Sequence, residues 1–96
     1  MEAELYRLKG ELLLLAGTSK SEAEESLRTA VVISRRQQAK SWELRATLSL
    51  ARLLMKQGCR DEAHAMLADI YNWFTEGFDT ADLKEAKGLL EQLSAG

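Results

Sequence analysis

Three cations, Arg45, Arg52 and Lys56, stand at seven- and four-residue steps, a spacing that places them on one side of a single helix. Aligned guanidinium and ammonium groups can clamp a carboxylate or an acidic peptide, because each offers several N–H donors to an anionic oxygen. The same pattern also describes an ordinary solvated face. Other candidates for chemistry are sparse. Cys59 and His64, the sole cysteine and the sole histidine, lie near Arg60 and Asp61. A zinc site needs more ligands than this neighbourhood supplies, which leaves a solvated helical imidazole and an exposed or half-exposed thiol. The adjacent carboxylates Glu24 and Glu25 sit among strong helix formers and read as solvent-facing, whereas general acid–base work needs a buried pair. Neither G-x-x-x-x-G-K-S/T nor G-x-G-x-x-G occurs. These side chains point away from an enzyme, a cofactor or a metal, and toward a surface that holds a protein or an acidic peptide.

Of the 96 residues, 46% are hydrophobic and none is proline, while Ala, Leu, Glu, Arg and Lys fill almost every window. These are strong helix formers, so the chain reads as all-α. The first helix is expected from Ala3 to Ala16, where Leu5, Leu8, Leu12 and Leu15 recur at three- and four-residue steps, Leu13 and Leu14 widen the stripe, and Gly17 is a natural stop. Ser19 with Glu22 spells a capping box for a second helix, whose apolar line runs Ala23, Leu27, Ala30 and Val31. A turn is expected over Gln37 to Lys40, with Ser41 capping a third helix that carries Leu44, Leu48, Ala51 and Met55 and ends at Gly58. Asp61 then caps a fourth, bearing Ala63, Met66, Leu67, Ile70 and Phe74. Gly77 breaks it, and Asp79 or Thr80 caps a fifth with the narrow seam Leu83, Ala86, Leu90 and Leu93. Tyr71, Trp73, Phe74 and Phe78 are expected to cement the fourth helix to the fifth, and Trp42 to pack at the junction of second and third.

The expected architecture is one domain over residues 1–96: two antiparallel helical hairpins, at about 3–38 and 41–75, and a C-terminal capping helix at about 80–94. The first helix has no matching cover. Leu5, Leu8, Leu12 and Leu14 are therefore the expected surface through which two copies associate as a dimer.

The net charge of −2 hides a segregation, with −3 over residues 1–27, +7 over 28–60 and −6 over 61–96. Such blocks suit an anionic partner or complementary stacking of chains, although solvated faces can differ this much by chance. A pI near 5.4 opposes nucleic-acid binding. No apolar run reaches the ~20 residues that span a bilayer, and the acidic start at Glu2 and Glu4 is unlike a signal peptide, so the expectation is a cytoplasmic protein with no membrane contact.

A pattern also repeats. Gly10, Leu13, Gly17, Ala23, Leu27 and Ala30 return as Ala51, Leu54, Gly58, Ala63, Leu67 and Ile70, about 40 residues on. With these positions the strings LKGELLLLAG…AEESLRTAV and SLARLLMKQGCRDEAHAML resemble tetratricopeptide repeats, departing from them in the longer period and the missing proline. The resemblance implies a right-handed stack of hairpins whose inner groove is lined by the first helix of each. On that reading the groove includes Glu4, Arg7 and Glu11, then Arg45, Leu48, Arg52, Met55 and Lys56. AELYRLKGELLL and IYNWFTEGFDTADLKEAKGLLEQL further resemble the C-terminal repeat tail of large bacterial signalling proteins that carry a predicted ATPase and a class III nucleotide cyclase or other output domain. That likeness implies a regulatory surface and nothing catalytic within these residues.

Overall fold

The computed structural model describes residues 2–17, 19–74 and 80–95, which form α1 (Glu2–Ala16), α2 (Lys20–Arg36), α3 (Lys40–Lys56), α4 (Arg60–Trp73) and α5 (Ala81–Ala95). No strand occurs among the described residues. The Ser19 hydroxyl accepts a hydrogen bond from the Glu22 backbone N–H at 3.2 Å and starts α2, as its capping-box spelling requires. Thr80 does the same for α5, accepting from the Leu83 N–H at 3.2 Å. Asp79, the other candidate cap, lies outside the described residues, as do Gly77 and Phe78.

The helices α3 and α4 begin differently from expectation. Their N-caps are Ala39 and Cys59, with no side-chain hydrogen bond, so Ser41 and Asp61 fall inside the first turn. The reason lies in how the preceding helices end. Ala39 N–H reaches the Ser34 carbonyl at 2.9 Å and Gln38 N–H the Arg35 carbonyl at 3.1 Å; Cys59 and Gly58 repeat this to Leu54 and Met55 at 2.8 and 3.1 Å. Both are Schellman closures, and each needs a left-handed residue, which Gly58 supplies at φ 84° and Gln38 at φ 55°. The residue that completes each closure is at once the next cap. Ala39 and Cys59 hold those positions, and neither brings a side-chain oxygen to cap the next helix.

The core gathers around α3, which packs against α1, α2, α4 and α5. Leu44, Leu48, Leu50, Ala51, Leu53 and Leu54 are buried there, facing Leu27, Ala30 and Val31 of α2 and Ala63, Leu67 and Ile70 of α4. The fifth helix adds Leu83, Ala86, Leu89 and Leu93, so Leu89 enters the seam and Leu90 stays half-buried. The whole measures 38 × 33 × 19 Å, about two helix diameters thick.

The first helix turns its leucine line to solvent, with Leu15 rather than Leu14 as its last member. Leu5, Leu8, Leu12 and Leu15 are 66%, 44%, 65% and 85% exposed, whereas Ala3 and Gly10 are the buried positions. The cause is a close helix crossing at Gly10. A Cβ added there would lie 2.8 Å from Leu27 Cγ and 3.1 Å from the Ala23 carbonyl oxygen. Only the glycine side of α1 can approach α2 so closely, and that turns the leucine line to the far side. The expected aromatic cement is also redistributed. Tyr71 and Phe74 pack on the core, but Trp73 is 55% exposed, with its ring edge-on to Phe74 and the Lys40 ammonium 5.5 Å from its centroid. No helix among the described residues is long and apolar enough to cross a membrane.

Candidate partner-binding surface

The cationic stripe of α3 is already engaged by carboxylates from both of its flanks. Arg45 reaches Asp82 of α5 at 3.2 Å and Glu4 of α1 at 3.7 Å, and Arg52 is ion-paired with Glu85 of α5. Arg45 also lies over the Trp42 ring, 5.2 Å from its centroid. Glu4 is itself held by a bidentate Arg7 guanidinium at 2.7 and 2.8 Å. A ladder of alternating charge thus runs Arg7, Glu4, Arg45, Asp82 across three helices. The Arg7 hydrogen bonds, helped by Arg7 and Arg45 as nearby positive charges, hold the Glu4 carboxyl below the ordinary carboxylate range against the opposing effect of burial. Arg7 is shifted upward for the reciprocal reason.

The residues expected in the groove therefore separate into three groups. Arg7, Glu4 and Arg45 come together in the ladder. Leu48 does not line the groove: it is 2% exposed, because α3 is covered on several sides and this position faces the core. Met55 likewise packs against the core from its edge. Glu11, Arg52 and Lys56 line a cleft of about 400 Å³ between α1 and α3. Leu14, Leu15 and Leu53 form the apolar part of that cleft, and Lys20 stands at its rim.

Leu14 accordingly leaves the self-association surface expected for it. It packs against the core, and Leu15 takes its place on the outer face. Lys20 and Leu53 were not singled out from sequence. Lys20 is the first residue of α2, and only the turn geometry at Gly17, φ 68°, brings it beside α3. A second concavity of about 880 Å³ lies between α1 and α2, with Tyr6, Val32 and Ile33 among acidic and basic side chains including Glu25, Arg28 and Arg36. No period in the sequence marks it.

Cys59 is an exposed free thiol at the α3–α4 turn. His64 shares a 3.2 Å hydrogen bond with the Ser94 hydroxyl, so its ring ties α4 to α5. Among the described residues no three His, Cys, Asp or Glu side chains are grouped to hold a metal ion. What the surface offers is a set of oriented cations beside an apolar floor, suited to an anionic chain carrying an apolar side group. No protein-family model, curated protein or solved structure matches this chain.

Proposed function

We propose that this chain is a non-catalytic, cytoplasmic helical-repeat interaction module: two tetratricopeptide-like hairpins, α1–α2 and α3–α4, closed by α5 as a capping helix. One observation carries the reading. Helix α3 packs on both α1 and α2, and α5 packs on both α3 and α4, so the helix that opens each new unit is received by the preceding hairpin in the same way. The equivalent positions Gly10 and Ala51, Ala23 and Ala63, Leu27 and Leu67, and Ala30 and Ile70 are all buried. In such a stack the α1–α3 cleft takes an acidic peptide segment, with Lys20 and Lys56 meeting its carboxylates and Leu14 and Leu53 its apolar side chain, while Arg52 stays with Glu85. The likeness to the repeat tail of bacterial signalling proteins supports a regulatory role within a larger protein.

The double variant Lys20→Glu, Lys56→Glu tests this, since both residues are exposed and helicity is expected to be unchanged. Binding of a labelled Asp/Glu-rich peptide with one central leucine, followed by fluorescence anisotropy, is expected to weaken by roughly tenfold or more. Equal affinity of parent and variant would remove the cleft as the partner site. The four outward leucines of α1 favour a second reading, in which the chain's main act is association with itself.

A further inference from the structure

Resting on that second reading, we infer that α1 pairs with α1 of a second copy as a parallel, two-stranded leucine seam. Leu5, Leu8, Leu12 and Leu15 are spaced by three, four and three residues, the a/d alternation that lets two helices interlock along one line. Leu5, Leu8 and Leu12 point away from the body of the molecule, Leu15 stands at the edge of the α1–α3 cleft, and all four are exposed. The line is about 15 Å long, since α1 rises ~1.5 Å per residue. No other described helix offers a comparable face: the solvent side of α5 carries Lys84, Lys87, Glu91 and Ser94, so head-to-tail stacking would set leucines against charge. The surface of this chain that fits the seam is the seam itself, which makes the contact two-fold.

The flanking charges select the direction. With Leu5 and Leu12 at a, and Leu8 and Leu15 at d, Glu4 and Glu11 fall at g while Glu2, Lys9 and Ala16 fall at e. Parallel helices bring each g beside the e five residues further along the partner. Glu4, already neutralised by Arg7 and Arg45, then lies beside Lys9 of the other copy, and Glu11 beside Ala16, so no like charges meet. Antiparallel helices bring g against g and e against e. With the leucines fully overlapped, that register sets Glu11 against its own copy and Lys9 against its own copy. The antiparallel seam carries two like-charge contacts and the parallel seam none, so the parallel arrangement is the one compatible with full burial of the seam.

Light scattering and oxidative cross-linking of the full chain test this. In high-micromolar solution the parent is expected to show twice the mass of one chain, and Leu12→Glu to show a single chain with unaltered helicity. In a Cys59→Ser background, Leu8→Cys alone is expected to give a covalent dimer on oxidation, because parallel pairing sets position 8 against its own copy. An antiparallel seam would instead join Leu8→Cys chains to Leu12→Cys chains in a mixture, an outcome that overturns the direction while leaving self-association intact. A parent that stays monomeric overturns self-association altogether. A dimer indifferent to Leu12→Glu overturns the seam and moves the interface elsewhere.

Discussion

Gly10 decides how the first helix sits, and its effect can be isolated by comparison with Gly88. Both are mid-helix glycines, each about 1 kcal/mol less favourable than alanine by backbone propensity alone. At Gly88 nothing lies within 4 Å of an added Cβ, so Gly88→Ala is expected to stabilise by about 1 kcal/mol. At Gly10 the added Cβ meets Leu27 Cγ at 2.8 Å, and Leu27 is fully buried and cannot swing away. Overpacking of this kind costs about 1 to 3 kcal/mol, which outweighs the propensity gain, so Gly10→Ala is expected to destabilise on balance. Paired thermal melts check both signs at once. A similar limit governs what sequence can show at this scale. Leu5, Leu8 and Leu12 were legible as an uncovered face, but the choice of Leu15 over Leu14 as its last member was not, because a run of adjacent leucines leaves the edge of the face open. The turn over Gln37 to Lys40 was legible but not its left-handed residue, because a left-handed glutamine carries no compositional signal, whereas Gly58 in the equivalent closure does.

At the scale of elements, α5 is held by two kinds of contact whose strengths differ. Its ion pairs, Asp82 to Arg45 and Glu85 to Arg52, involve partly exposed groups and contribute on the order of 0 to 1 kcal/mol each. Its seam buries Leu83, Leu89 and Leu93 to 7% exposure or less, and truncating such a leucine costs about 2 to 5 kcal/mol. Leu89→Ala is therefore expected to lower stability by at least about 2 kcal/mol, while Asp82→Asn with Glu85→Gln lowers it by less. Chemical unfolding with both variants ranks the two; a larger loss from the charge variant would mean that the ladder, not the seam, docks α5. The helix and its cap at Thr80 were readable from sequence through period and spelling. Leu89 was missed because Leu89 and Leu90 lie side by side and a seam drawn through either satisfies the spacing. Only packing against the core chooses between them.

Across the whole molecule, the charge blocks read along the chain become a spatial arrangement, with acids of α1 and α5 folded onto the bases of α3. Glu4 is where this arrangement couples to pH. The Arg7 hydrogen bonds and the positive charges of Arg7 and Arg45 depress its folded-state pKa below the ordinary 4.5. A depressed carboxyl stabilises the fold in its ionised form, so the contribution is fully present above about 4.5, the value it regains on unfolding, and is lost as pH falls through the lower folded value. Melting temperature is accordingly expected to fall between pH 5 and pH 3. Glu4→Gln is expected to start lower at pH 7, since Arg7 and Arg45 lose their shared anion, and then to decline less steeply with acid. Salt near 1 M, where the screening length is about 3 Å, is expected to lower the parent toward the variant at pH 7. Circular-dichroism melts of both proteins at the two pH values measure the difference in slope. Parallel acid limbs would place the pH dependence in other carboxylates and leave the ladder as a device of orientation, fixing how α1, α3 and α5 lie together without adding to their stability.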